Sequence, residues 1–230
     1  MRYGFGNSTT RKNAIKSKKN KSNYKGFNNK NCSSCKEETL HTGNRCMNCN
    51  AIKKGYKSYS HQVISSKCNY LKKYYKISKI EDLNKLLNNK KIHKRKLNNL
   101  FKLCTLIGKE NFYNNNLPEI NKIDKDSNSC VYGIKLIKGS IVYIGETLNF
   151  DKRSQEHVEG LKILGNYPLT GKYITPEMNY NEDYLFIKLA TPESNLSIFE
   201  KKIWLSCVES YFIDKYKTYE LGNNRTGSWI

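Results

Sequence analysis

Cys32 and Cys35 are separated by two residues, Cys46 and Cys49 likewise, and ten residues lie between the pairs. Each pair can bite one tetrahedral ion from a tight turn, and four thiolates leave no position open for water, so the site this spacing predicts is a structural zinc centre. The surrounding segment is too short and too polar to fold on an apolar core, so metal binding would supply its folding free energy directly. Disulfides are the poorer reading. The N-terminus carries no apolar run of a signal peptide and no stretch of 18 apolar residues occurs, so the expectation is a soluble, cytoplasmic protein in a reducing compartment. Cys68, Cys104, Cys130 and Cys207 have no metal spacing and read as small buried apolar residues. His41, inside the cysteine loop, is read as a surface residue rather than a substitute ligand.

The charge of the chain is as uneven as its cysteines. The formal net charge is +21, from 41 Lys and Arg against 20 Asp and Glu. From Asn128 to the end there are 12 of each sign, so the whole excess sits in the first 127 residues. A surplus of that size on one side points to a polyanion, with DNA as the expected partner. Residues 1–30 hold nine basic residues and no acid, and read as a disordered arm in which Tyr3, Phe5, Tyr24 and Phe27 either stack on bases or lie idle.

Residues 31–50 form the zinc-binding module, and 51–110 a basic helical region. Apolar residues recur there at helical spacing, as in Leu83, Leu86, Leu87 and then Leu97, Leu100, Phe101, Leu103. Lys90, Lys91, Lys94, Arg95 and Lys96 make its densest basic run, read either as a DNA-phosphate contact or as a solvated face. The polar, Asn-rich stretch 111–128 reads as a linker.

Residues 129–230 read as one small α+β domain, a sandwich of a three-stranded mixed or antiparallel sheet and helices. Cys130–Ile137 and Ser140–Ile144 are the arms of a hairpin around Lys138-Gly139. A helix capped by Asn149 runs from about Phe150 to Leu161, a third strand spans Asp183–Ala190, and a long helix spans Ser197 to about Tyr216. A two-residue turn would set Ile134 opposite Tyr143 and leave Tyr132 on the same side of the sheet. Arg153 and His157, four apart on a helix, share a face, and Gly145 would let that helix approach the sheet closely. Glu209 falls against the apolar stripe of its helix, where a carboxylate needs a partner; Glu200 comes off the opposite side and reads as solvated. Glu146, next to Gly145, adds a second carboxylate that either assists a metal or stays exposed.

The order Tyr132, Tyr143-Ile144-Gly145, Arg153, His157, Glu209 and the pair Asn223-Asn224 resembles the GIY-YIG endonucleases, across nearly all of residues 128–230. Cys130 and Val131 stand where the first signature element has Gly and Ile. The resemblance implies a GIY-YIG-like fold and a metal-dependent endonuclease of the homing or phage type. It implies that Glu209 holds a catalytic Mg2+ or Mn2+, that Arg153 grips the scissile phosphate, and that Tyr132 takes a proton from the attacking water. Tyr143 and His157 would orient or relay that proton, and Asn223 or Asn224 would support the site. A restriction or repair nuclease uses the same chemistry. A binding-only regulator, or a zinc-ribbon protein of the ribosome or transcription apparatus, would account for the basic half but not for the C-terminal constellation.

Overall fold

A computed structural model describes residues 27–87, 92–120, 123–164, 174 and 178–218. The chain divides at Tyr59/Ser60 into two compact units.

In the first unit, β1 (Phe27–Asn31), β2 (Glu38–Thr42) and β3 (Arg45–Cys46) form an antiparallel sheet in that order, followed by helix α1 (Met47–Lys53). The sequence assigned residues 27–30 to a disordered arm; they instead pair with β2, Phe27 opposite Thr42 and Lys30 opposite Thr39. The cause lies downstream. The turn that holds the first cysteine pair reverses the chain, with Lys36 at φ 60° and its N–H bonded to the Cys32 carbonyl at 2.9 Å. That reversal lays whatever precedes Cys32 along whatever follows Cys35, and the ladder satisfies the backbone of a polar segment.

The second unit begins with α2 (Tyr59–Tyr75), α3 (Ile80–Leu87) and α4 (Lys94–Tyr113), then β4 (Cys130–Leu136), β5 (Ile141–Thr147), α5 (Phe150–Leu164), β6 (Tyr184–Ala190) and α6 (Ile198–Tyr216). The sheet is antiparallel throughout, in the order β5-β4-β6. One face buries Tyr132, Ile134, Val142, Tyr184 and Phe186 with Phe150 and Val158 of α5 against them. The other buries Val131, Ile144 and Ala190 under Leu205, Val208 and Phe212 of α6. Helix α6 is apolar on more than one side because it has two neighbours: Phe199 and Ile203 belong to the helical core with Ile64, Cys68, Leu83, Leu100, Leu103 and Cys104. The four cysteines without metal spacing are all buried. Segment 111–128 does carry the chain from α4 to β4, but the first three of its residues finish α4, and α4 packs along α6 inside the same unit.

Two features shape α6 and its crossing with α4. Ser197 caps α6, its hydroxyl taking the Glu200 N–H while the Glu200 carboxylate takes the Ser197 N–H, so Glu200 is a capping residue rather than a merely solvated one. Gly108 lies where α4 crosses α6: a Cβ there would fall 2.3 Å from the Ile203 carbonyl oxygen and 2.9 Å from Ser206 Cβ. Among the described residues no helix is long and apolar enough to cross a membrane.

The hairpin reaches the expected pairing by a different route. Leu136 N–H bonds to Ser140 O, and Gly139 N–H to Leu136 O, so the loop takes three residues, Ile137 to Gly139. Ile137 turns away and bonds through its N–H to Asp183 O instead of facing Ser140. Neither Lys138 nor Gly139 has the positive φ that a two-residue primed turn demands. Lys135 then pairs with Ile141, but Ile134 pairs with Tyr143, leaving Val142 as the extra residue of a bulge. The longer loop and the bulge shift the register by one residue in opposite senses, so Ile134 still faces Tyr143 and Tyr132 faces Gly145.

Candidate active site and metal centre

The Tyr132 hydroxyl and His157 Nε2 share a hydrogen bond of 2.6 Å in the interior of the second unit. Strand β4 presents Tyr132 and helix α5 presents His157, and both are closed off from water. The Tyr132 ring also touches Tyr143, Phe150 and Phe186, at centroid distances of 6.2, 6.0 and 6.2 Å. Gly145 makes room for this arrangement. A Cβ at Gly145 would stand 2.6 Å from Tyr132 Cζ and Oη and 2.9 Å from Tyr143 Cε1. The glycine therefore admits two tyrosine rings across the hairpin, rather than admitting a helix as its position in the sequence suggested.

Burial pushes the Tyr132 phenol up to about 12, against the pull of the Arg153 guanidinium, while the Glu209 charge adds to the rise. Tyr143 is held above its ordinary value chiefly by burial, with Tyr132 and Glu209 adding to it. His157 is pushed down to about 4, first by burial and then by the Arg153 charge, so its imidazole is neutral near pH 7. These shifts place Arg153 and Glu209 within electrostatic reach of the same phenol. Arg153 and His157 leave α5 one turn apart, but to different fates: His157 is buried, whereas the Arg153 side chain keeps 30% of its surface and bonds Glu156 Oε2 at 2.9 Å.

Glu209 has the partner that its place on the stripe demands, and the partner comes from an unexpected element. Lys109 Nζ of α4 lies 3.3 Å from Glu209 Oε2, with the lysine side chain 3% and the glutamate 14% exposed. A second pair lies beside it. Lys202 Nζ of α6 bonds Glu146 Oε1 at 2.5 Å, and the Ser206 hydroxyl donates to the same oxygen at 3.2 Å. Glu146 is thus engaged rather than exposed, and its Oε2 is buried with no hydrogen-bond partner among the described residues. Burial, then the charge of Glu209, pushes the Glu146 carboxyl above its ordinary value, with Lys202 and Lys109 opposing. Sequence reasoning gave neither lysine a role; one buried lysine one residue after a glycine at a helix crossing becomes visible only once α4 and α6 are packed.

In the first unit the four cysteine sulfurs lie within 4.8 Å of one another. Cys32 Sγ and Cys49 Sγ are 3.7 Å apart, close to the ~3.8 Å edge of a tetrahedron with zinc–sulfur bonds of about 2.3 Å. The first pair sits in the turn between β1 and β2, and the second opens α1, where Cys46 Sγ accepts the Cys49 N–H at 3.4 Å. Backbone N–H groups of Cys35 and Ser34 pull the Cys32 thiol down to about 6, while its neighbours Cys46 and Cys32 push Cys49 up to about 12. That crowding of sulfur is what a soft cation such as zinc relieves. His41 is buried rather than on the surface, its Nδ1–H donating to the Thr39 carbonyl at 2.9 Å, because β2 faces it inward.

Lys94, Arg95 and Lys96 are exposed at the start of α4. Lys90, Lys91, Asn223 and Asn224 lie outside the described residues, as do the arm up to residue 26 and most of the segment following α5. Comparison with protein-family models, with curated proteins and with solved structures finds no match to this chain.

Proposed function

We propose that this chain is a metal-dependent DNA endonuclease, of homing or phage type, whose second unit hydrolyses a phosphodiester bond. The observation that carries the reading is the hydrogen bond between Tyr132 and His157, with Arg153 and Glu209 both acting electrostatically on the same phenol. Tyr132, Tyr143 and His157 meet in one buried cluster, and the charges of Arg153 and Glu209 act on its phenol.

In this reading substrate binding brings a water to the Tyr132 oxygen, which is buried in the free protein; that water attacks phosphorus and gives its proton to the oxygen, while the proton of Tyr132 passes to His157 Nε2. The P–O bond to the leaving sugar oxygen breaks, and that oxygen takes a proton from solvent. A phenol held near 12 stays protonated near pH 7, so it can take the water's proton only by handing its own to the neutral imidazole behind it. Arg153, partly exposed, releases Glu156 and forks onto the nonbridging oxygens, stabilising the added negative charge. Glu209 would be the hard oxygen donor for Mg2+ or Mn2+, and such an ion would supply Lewis-acid neutralisation of the phosphate charge. The zinc-holding unit and the basic segments would grip DNA through phosphate contacts.

A binding protein that does not cut is the second reading, favoured by the engagement of Glu209 with Lys109. Supercoiled-plasmid cleavage decides between them. Nicking or linearisation with Mg2+ that disappears with EDTA and in Glu209→Gln is expected; intact plasmid with folded, zinc-loaded protein on varied DNA rejects the nuclease.

A further inference from the structure

Tyr70 and Tyr74, one turn apart on α2, are each 67% exposed, and their rings stack on one another at 6.3 Å and 22°. They border a groove of about 790 Å³ between α2, α3 and α4, inside the range of ~300–1,000 Å³ typical of ligand sites. The groove is built rather than incidental. Tyr75 meets the edge of Tyr74 at 4.9 Å and 89°, and its hydroxyl takes a hydrogen bond of 3.2 Å from Asn99 Nδ2 of α4, which ties the aromatic ledge to the opposite wall. Lys76, Arg95 and Lys96 also line it, and among the described residues no carboxylate does.

We infer that this groove binds a single nucleic-acid strand, with unstacked bases lying on Tyr70 and Tyr74 and phosphates held by Lys76, Arg95 and Lys96. Cations by themselves would suit any polyanion. Aromatic faces left open to water add a demand that a duplex cannot meet, because its bases are already stacked and it offers only phosphates and groove edges. A strand with free bases satisfies both. The inference shares with the proposed function only the choice of nucleic acid as partner; it does not require cutting.

The test uses the full-length, zinc-loaded protein and fluorescence anisotropy with labelled oligothymidylate and a labelled duplex at physiological ionic strength. Because both rings are exposed, Tyr70→Ala with Tyr74→Ala should leave the fold intact. That double variant is expected to weaken single-strand binding about tenfold or more while changing duplex binding less than about twofold. Tyr70→Phe with Tyr74→Phe, which keeps the ring faces, should restore single-strand affinity. Unchanged single-strand affinity in the alanine variant, or an equal loss on both ligands, overturns the groove assignment. Plasmid cleavage is scored separately: parent protein that binds the strand through these rings but never cuts removes the nuclease reading and leaves the groove standing.

Discussion

Lys109 and Glu209, one hundred residues apart in the chain, form an ion pair of 3.3 Å that is nearly sealed from water. Removing one partner leaves a buried charge uncompensated, which costs far more than the pair itself is worth. Lys109→Met should therefore lower the unfolding free energy by about 3 kcal/mol in urea titration. Lys109→Met combined with Glu209→Gln should recover most of that loss, since neither charge then remains buried. Additive losses in the double variant would mean that the pair is not coupled.

Gly108→Ala should destabilise the second unit by roughly 2 kcal/mol or more, because the new methyl lands on the Ile203 carbonyl and on Ser206. In an exposed helix the same change would stabilise. A raised midpoint in thermal or urea unfolding would show that α4 and α6 do not approach as described.

His157 gives the fold a pH dependence of defined sign. Its folded pKa of about 4 lies below the ordinary 6.5, so between those values the unfolded chain binds the extra proton. Stability from this group is complete above pH 6.5 and is lost as the pH falls toward 4, on the order of 3 kcal/mol in all. The difference in stability between the parent chain and His157→Gln, followed by urea unfolding across that window, should shrink as the pH drops. A constant difference would place the imidazole in water.

The four-cysteine cluster should hold about one equivalent of zinc, measurable by release to a chromophoric chelator after thiol modification. Cys46→Ser is expected to lose the metal and the β1–β2–β3 sheet together, seen as collapse of amide dispersion in the first unit. Retention of those signals in metal-free protein would show that the sheet stands without its staple.

Much of this arrangement is written in local pattern. The cap at Asn149, the helical spacing of Leu97, Leu100 and Leu103, and the paired cysteines are each settled by neighbours within a few residues. The pairing of Ile134 with Tyr143 in the hairpin was legible too, although for a local reason that fails: the turn is longer than supposed and the Val142 bulge restores the count. Strand β1 was not legible, since a polar, lysine-bearing segment carries no alternation and pairs only because the cysteine turn folds it back.

The sequence by itself determined the α+β class, the four-cysteine cluster and the order of tyrosines, arginine, histidine and glutamate, because periodicity, capping and ligand spacing act over one or two turns of chain. Only the tertiary structure decided who neutralises whom. Lys109 meets Glu209 because Gly108 lets α4 lie against α6, Lys202 meets Glu146 because α6 lies on β5, and Gly145 lets two tyrosine rings share the space above one strand pair. Those choices depend on close approach between elements far apart in sequence, where the absence of a single Cβ sets which charges are buried together.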